Sequence, residues 1–113
     1  MPFINSADVI LCTYNSNKPY FEKCLRSIKK EVPLHRLIVV DKLSSDETIG
    51  IIKKHFANPL IIQTEVSLAE ARRIGIENVN TEYFAFIDDA FTVDQSRAAE
   101  ICEEIKKRKL KIK

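Results

Sequence analysis

Residues 8–15 read Asp8-Val9-Ile10-Leu11-Cys12-Thr13-Tyr14-Asn15, an apolar run that ends abruptly in polar residues. The run does not alternate, and that is the pattern of a strand covered on both faces. Three further runs share it: 36–41 (RLIVVD), 60–64 (LIIQT) and 83–88 (YFAFID). Between and after them lie four segments with helical signals. Pro19 sits in the first turn of the first, followed by Tyr20, Phe21, Cys24, Leu25 and Ile28 at core spacing. Ser44 with Glu47 is a candidate capping box for the second, and Ser67 with Glu70 for the third. The fourth covers about 94–108, with Ala98, Ile101, Cys102 and Ile105 inward. Such alternation predicts parallel strands, right-handed crossovers and helices on both sheet faces. The expected fold is α/β: a single domain over 1–113, a three-layer sandwich whose mainly parallel sheet has the order 3-2-1-4.

Bulk properties narrow the function classes. With 113 residues, 45% hydrophobic and 30% charged, the chain reads as globular, with one core. A net charge of +2 gives no argument for a nucleic-acid partner. Residues 106–113 (KKRKLKIK) carry six positive charges and no negative ones. That stretch reads either as attracted to an anionic membrane surface or as a solvated helix end and charged edge strand. Cys12, Cys24 and Cys102 have no metal-ligand spacing and an odd count, so buried small hydrophobes are expected rather than zinc or a disulfide scaffold. Met1-Pro2-Phe3 lacks the start of a signal peptide, and no apolar stretch approaches the roughly 20 residues of a membrane span. A soluble protein in a cytoplasmic setting is expected.

In a doubly wound sheet, ligands bind beyond the strand C-termini where the winding reverses, here between the first and fourth strands. Thr13-Tyr14-Asn15 follows the first strand, Asp41 ends the second, and Asp88-Asp89 ends the fourth. These three polar groups converge on one crevice. Only two glycines occur, Gly50 and Gly75, so neither a P-loop nor a GxGxxG turn is possible. A phosphate ligand then requires a metal, and adjacent carboxylates are suitable oxygen ligands for Mg²⁺ or Mn²⁺. The bland alternative for Asp88-Asp89 is a helix cap or solvated loop. Arg72 falls near the centre of the third helix's apolar arc and there needs an anionic partner: Asp41, Asp88 or a ligand diphosphate. Tyr14 is placed either to stack on a base or to pack at the rim. His35 and His55 suit solvent or capping roles, and Ser44-Ser45-Asp46 a helix N-terminus.

These residues resemble the N-terminal half of the family 2 glycosyltransferases of the GT-A fold. DVILCTYN (8–15) is similar to the family's opening strand, and FEKCLRSI (21–28) to its first helix. LIVVDKLSSDET (37–48) resembles VVDDGSTDGT, and AEARRIGIENVNTEYFAFIDD (69–89) resembles AARNxGIxxAxGEYIxFLDDD. The resemblance implies a Rossmann-like half that binds a UDP- or GDP-sugar, with inverting transfer to an acceptor hydroxyl. It places Tyr14 and Asp41 beside the base, Arg72 near the nucleotide, Asp88 at the ribose or metal and Asp89 on the cation. Lys42-Leu43 stands where the family usually has Asp-Gly, and Ala90 where many members carry a third acidic residue. No residue can be assigned as general base. A metal-dependent glycosyltransferase donor domain is therefore expected, against a non-catalytic nucleotide-binding or interaction domain. The acceptor is not readable, a lipid-linked one being a candidate. Unpaired sheet edges predict homo-oligomers. Nucleotidyltransfer lacks its Gly-rich turn, and a receiver domain clusters its acids after the first strand.

Overall fold

The computed structural model describes residues 6–87. The expected fourth helix (94–108), the basic stretch 106–113, Cys102, Ala90 and the Asp88-Asp89 pair lie outside the described residues. Within them the chain runs β1 (Ala7–Thr13), α1 (Phe21–Glu31), β2 (Leu34–Asp41), α2 (Thr48–His55), β3 (Leu60–Gln63), α3 (Leu68–Glu77) and β4 (Phe84–Phe86). Every strand pair is parallel, and the sheet order is β3-β2-β1-β4. The strand–helix alternation predicts this arrangement.

Right-handed crossovers decide where the helices go. From β1 the chain winds outward through β2 to β3, which sets α1 and α2 on one face. It then reverses across the sheet to β4, which sets α3 on the other. Side-chain parity confirms the layers. Val9, Leu11, Leu37 and Val39 share a core with Phe21, Leu25 and Ile28 of α1 and Ile52 of α2. Each such buried side chain stabilises the fold by about 1.5–3 kcal/mol. The even-numbered Ile10, Ile38 and Val40 are equally buried and face α3. There Gly75 lets helix and sheet approach so closely that an added Cβ would stand 2.5 Å from Ile10 Cγ2.

Several local expectations are corrected. α1 begins at Phe21, two residues after Pro19, and Tyr20 is exposed rather than in the core. α2 begins at Thr48, so Ser44 and Glu47 form no capping box; Asp46 Oδ1 accepts the Thr48 N–H at 3.0 Å instead. Ser67 does cap α3, accepting the Glu70 N–H at 3.2 Å. Cys24 is fully buried and Cys12 partly so. Both histidines find carboxylates. His35 Nδ1 lies 2.8 Å from Asp8, which is fully buried at the β1 N-terminus and also accepts the Asn80 N–H at 2.7 Å. His55 Nε2 lies 2.8 Å from Glu22 and so ties α2 to α1. Sequence neighbours could not announce either contact, because the partners sit 27 and 33 residues away.

Candidate functional site

The site begins with two strand ends in step. β1 and β2 pair in register to Thr13 and Asp41, so Tyr14 and Lys42 emerge side by side. The Lys42 N–H bonds the Thr13 carbonyl at 2.9 Å, which fixes the start of the second loop against the first. The next residue on each chain adopts a left-handed conformation: Asn15 at φ 46° and Leu43 at φ 51°. Asn tolerates this geometry, whereas a leucine there costs about 1–2 kcal/mol. Both chains turn away at these residues and leave Tyr14 and Lys42 as paired lips. The Lys42 ammonium stands 5.7 Å from the Tyr14 ring centroid, and Tyr14 is 60% exposed.

Beneath the lips Asp41 is fully buried. Its carboxylate accepts Thr13 Oγ1 at 2.5 Å, the Ser44 N–H at 2.8 Å, Ser44 Oγ at 2.6 Å and Gln63 Nε2 at 3.1 Å. Burial pushes the Asp41 carboxyl up, but the hydrogen bonds from Ser44, Thr13 and Gln63 outweigh it and hold the group below its ordinary 3.8. It is an anion whose acceptor sites are committed to protein donors. Ser44 belongs to this knot, and that is why it caps no helix.

The two loops form one body. Asn15 N–H donates to Ser44 Oγ at 2.8 Å, and Asn15 Oδ1 accepts the Ser45 N–H at 2.8 Å. Ser16 N–H donates to Thr48 Oγ1 at 2.7 Å, and Asn17 N–H to Asp46 Oδ2 at 3.1 Å. Desolvation raises the Asp46 carboxyl, yet the donors on Thr48 and Asn17 together prevail and hold it below its ordinary value. Short polar residues here satisfy backbone groups that sheet and helix leave open.

A cleft of about 290 Å³ opens beside the lips, close to the roughly 300 Å³ at which small-molecule pockets begin. Besides Tyr14 and Lys42 it is lined by Cys12, Thr13 and Val40 at the ends of β1 and β2, by Thr64 and Val66 of the link after β3, and by Leu68 and Ala71 of α3. The reversal point between β1 and β4 is where the sequence places the crevice. That point borders Asp88 and the residues after it, outside the described residues; the cleft described here lies over the ends of β1, β2 and β3.

Of the expected site residues, the fold brings Thr13, Tyr14, Asn15 and Asp41 together. Arg72 stands apart. It is exposed, with its guanidinium carbon 5.7 Å from the Phe86 ring centroid, and no carboxylate among the described residues pairs with it. The helix touches the sheet through Ala71 and Gly75, and Arg72 projects toward the three-residue strand β4. Asp41 is therefore not its partner. Asp88 and Asp89 lie outside the described residues. Among the described residues no group of three His, Cys, Asp or Glu side chains is placed to hold a metal. Lys42 was not among the expected site residues, although the same strand-end rule that singles out Tyr14 points to it.

A family model described as Glycosyl transferase family 2 matches residues 8–112. No curated protein matches the chain. Among solved structures, Staphylococcus aureus TarS 1-349 superposes with a TM-score of 0.68 at 22% identity, covering 88% of this chain and 32% of that one. A crystal structure of S. aureus TarS matches at 0.66 and 27% identity, covering 86% and 19%. TarS 1-349 in complex with UDP matches at 0.67 and 22%, covering 88% and 32%. The chain thus spans a third or less of the structures it resembles.

Proposed function

The chain belongs to glycosyl transferase family 2, and from that premise we propose that it binds the nucleotide end of a UDP- or GDP-sugar for glycosyl transfer. The observation that carries the proposal is the cleft beyond the ends of β1–β3, with Tyr14 and Lys42 at its lips and the Asp41 knot beneath. Tyr14 offers an exposed ring for a base to stack on. Asp41 acts by orientation: its bonds to Thr13, Ser44 and Gln63 hold both loops in place. Asn15 fixes the turn that aims Tyr14. Arg72 is a cation open to solvent, available to a phosphate. The neighbour bound to UDP supports a nucleoside diphosphate as the ligand class.

Asp88 and Asp89 are adjacent hard oxygen donors, the donor chemistry that suits Mg²⁺ or Mn²⁺. Such an ion offsets charge on a departing diphosphate. The proposal further includes inverting transfer to an acceptor hydroxyl, a lipid-linked acceptor as one candidate, a cytoplasmic setting near the inner membrane face and self-association. No helix among the described residues is long and apolar enough to cross a membrane. Titration with UDP- and GDP-sugars, with and without Mn²⁺, tests the core of the proposal. Binding should tighten about tenfold or more with Mn²⁺, and Asp89→Ala should remove that gain. Absence of any nucleotide binding would overturn it. One observation favours a second reading, a non-catalytic nucleotide-binding domain. Asp41, the one described carboxylate in the knot beneath the cleft, is saturated by protein donors and is no general base. Turnover of a nucleotide sugar by this chain alone would exclude that reading.

A further inference from the structure

Resting on the donor-site reading above, we propose that Lys42 determines base specificity: its ammonium selects a base with a carbonyl at pyrimidine position 4 or purine position 6, uracil or guanine, over the counterpart with an amino group there, cytosine or adenine.

Three observations on the cleft carry this. First, Lys42 is aimed. Its backbone is pinned to the Thr13 carbonyl at 2.9 Å, and the left-handed Leu43 turns the chain away immediately after it. The side chain consequently lines the cleft with its ammonium over Tyr14, and among the described residues no carboxylate holds it elsewhere. Second, among the described residues the cleft has no competing anion. None of its lining residues is acidic, and the nearby Asp41 is fully buried with its oxygens bonded to Thr13, Ser44 and Gln63. Third, an ammonium has three N–H donors and no acceptor. A carbonyl oxygen on a base edge satisfies it, whereas an exocyclic amino group sets donor against donor and leaves both unpaired.

The Tyr14 ring explains how the cation reaches the base. In the unliganded chain the ammonium rests on the ring face, an exposed cation–π contact of modest strength. A base stacking on Tyr14 displaces it. The backbone tether to Thr13 keeps the freed ammonium at the lip, within reach of the edge of the incoming ring. Lys42 thereby exchanges one contact for another, and only a base with a carbonyl at that edge position, O4 of uracil or O6 of guanine, completes the exchange.

UDP and CDP make the cleanest test, because they match in size and phosphate charge and differ on the ring edge in carbonyl against amine. Calorimetric titration of both, in Mn²⁺, should show UDP binding about tenfold more tightly than CDP. Lys42→Met retains the length of the stem and should bring the two within about twofold, chiefly by weakening UDP. Lys42→Asp presents an acceptor and should favour CDP. GDP against ADP should follow the same order. Lys42 is exposed, so both variants should fold, with helical circular dichroism as the check. Measurable binding with a UDP-to-CDP ratio near one in the wild type, or a ratio unchanged in Lys42→Met, overturns the inference and leaves the donor-site reading standing. Failure of the wild type to bind any nucleoside diphosphate overturns both.

Discussion

Gly75 is where α3 and the central strand come closest, and its lack of a side chain sets the depth of that layer. An alanine there gains helix propensity of about 1 kcal/mol, but its methyl would stand 2.5 Å from Ile10 Cγ2. Ile10 is β-branched, buried and flanked by strands on both sides, so it has no room to give. Overpacking of this kind costs about 1–3 kcal/mol, which exceeds the gain. Gly75→Ala should therefore destabilise the fold by a net of about 1 kcal/mol, read as a lower urea midpoint, and a midpoint unchanged or raised would show that the layers can separate freely. The same contact explains the misreading of Arg72. A wheel at 100° per residue centres the apolar arc of α3 on it, but burial shows the helix meeting the sheet through Ala71 and Gly75. A small-residue contact draws the helix in along one narrow line, and an arginine beside that line can still reach water.

At the scale of elements, apolar runs and crossover handedness were enough to read strands, order and layers, because burying both faces of a parallel sheet leaves few alternatives. The loops were less legible. Ser44 and Glu47 have the spacing of a capping box, yet Ser44 serves Asp41, and α2 starts one residue after Glu47. Residues that cap helices also satisfy turns, and only the tertiary contact between the two loops decides which they do. Lys42 and the walls supplied by Thr64 and Val66 were missed for a similar reason: they belong to the cleft only once β3 lies beside β2. The eight-residue α2 is the shortest of the described helices. It has no side-chain hydrogen bond at its N-cap and carries an exposed glycine. A Cβ at Gly50 would meet only the far end of the Glu47 side chain, at 3.1 Å. Gly50→Ala should accordingly stabilise the protein by about 0.5–1 kcal/mol, measured as a higher urea midpoint. A loss would mean that Glu47 is held in place by more than its own rotamer preference.

At the scale of the whole fold, Asp41, Asp46 and Glu22 act as fasteners between separate parts. Asp41 joins the β1, β2 and β3 ends, Asp46 joins the first loop to α2, and Glu22 joins α1 to α2. All three are held below their ordinary values. For Asp41 and Asp46 burial acts upward and the donors prevail; for Glu22 the hydrogen bond from His55 leads, with Lys54 adding to it. A carboxylate whose pKa falls on folding stabilises the native state above its unfolded value and loses that contribution as pH drops through the folded value. The unfolded values are near 3.8 for the aspartates and 4.5 for the glutamate. Stability should thus be flat from these three groups between pH 7 and 5 and decline progressively below about pH 4.5. Glu22 and Asp46 are solvent-facing, so salt should weaken their share, whereas the buried Asp41 should keep its own. Asp41→Asn separates the parts: it should cost about 2 kcal/mol at pH 7 and flatten the acid limb. Urea midpoints of the wild type and Asp41→Asn at pH 7, 5, 4 and 3 check this. Parallel acid limbs in the two proteins would show that the knot at Asp41 is not what acid undoes. Because that knot also aims Tyr14 and Lys42, nucleotide binding should fall over the same pH range as the wild-type midpoint.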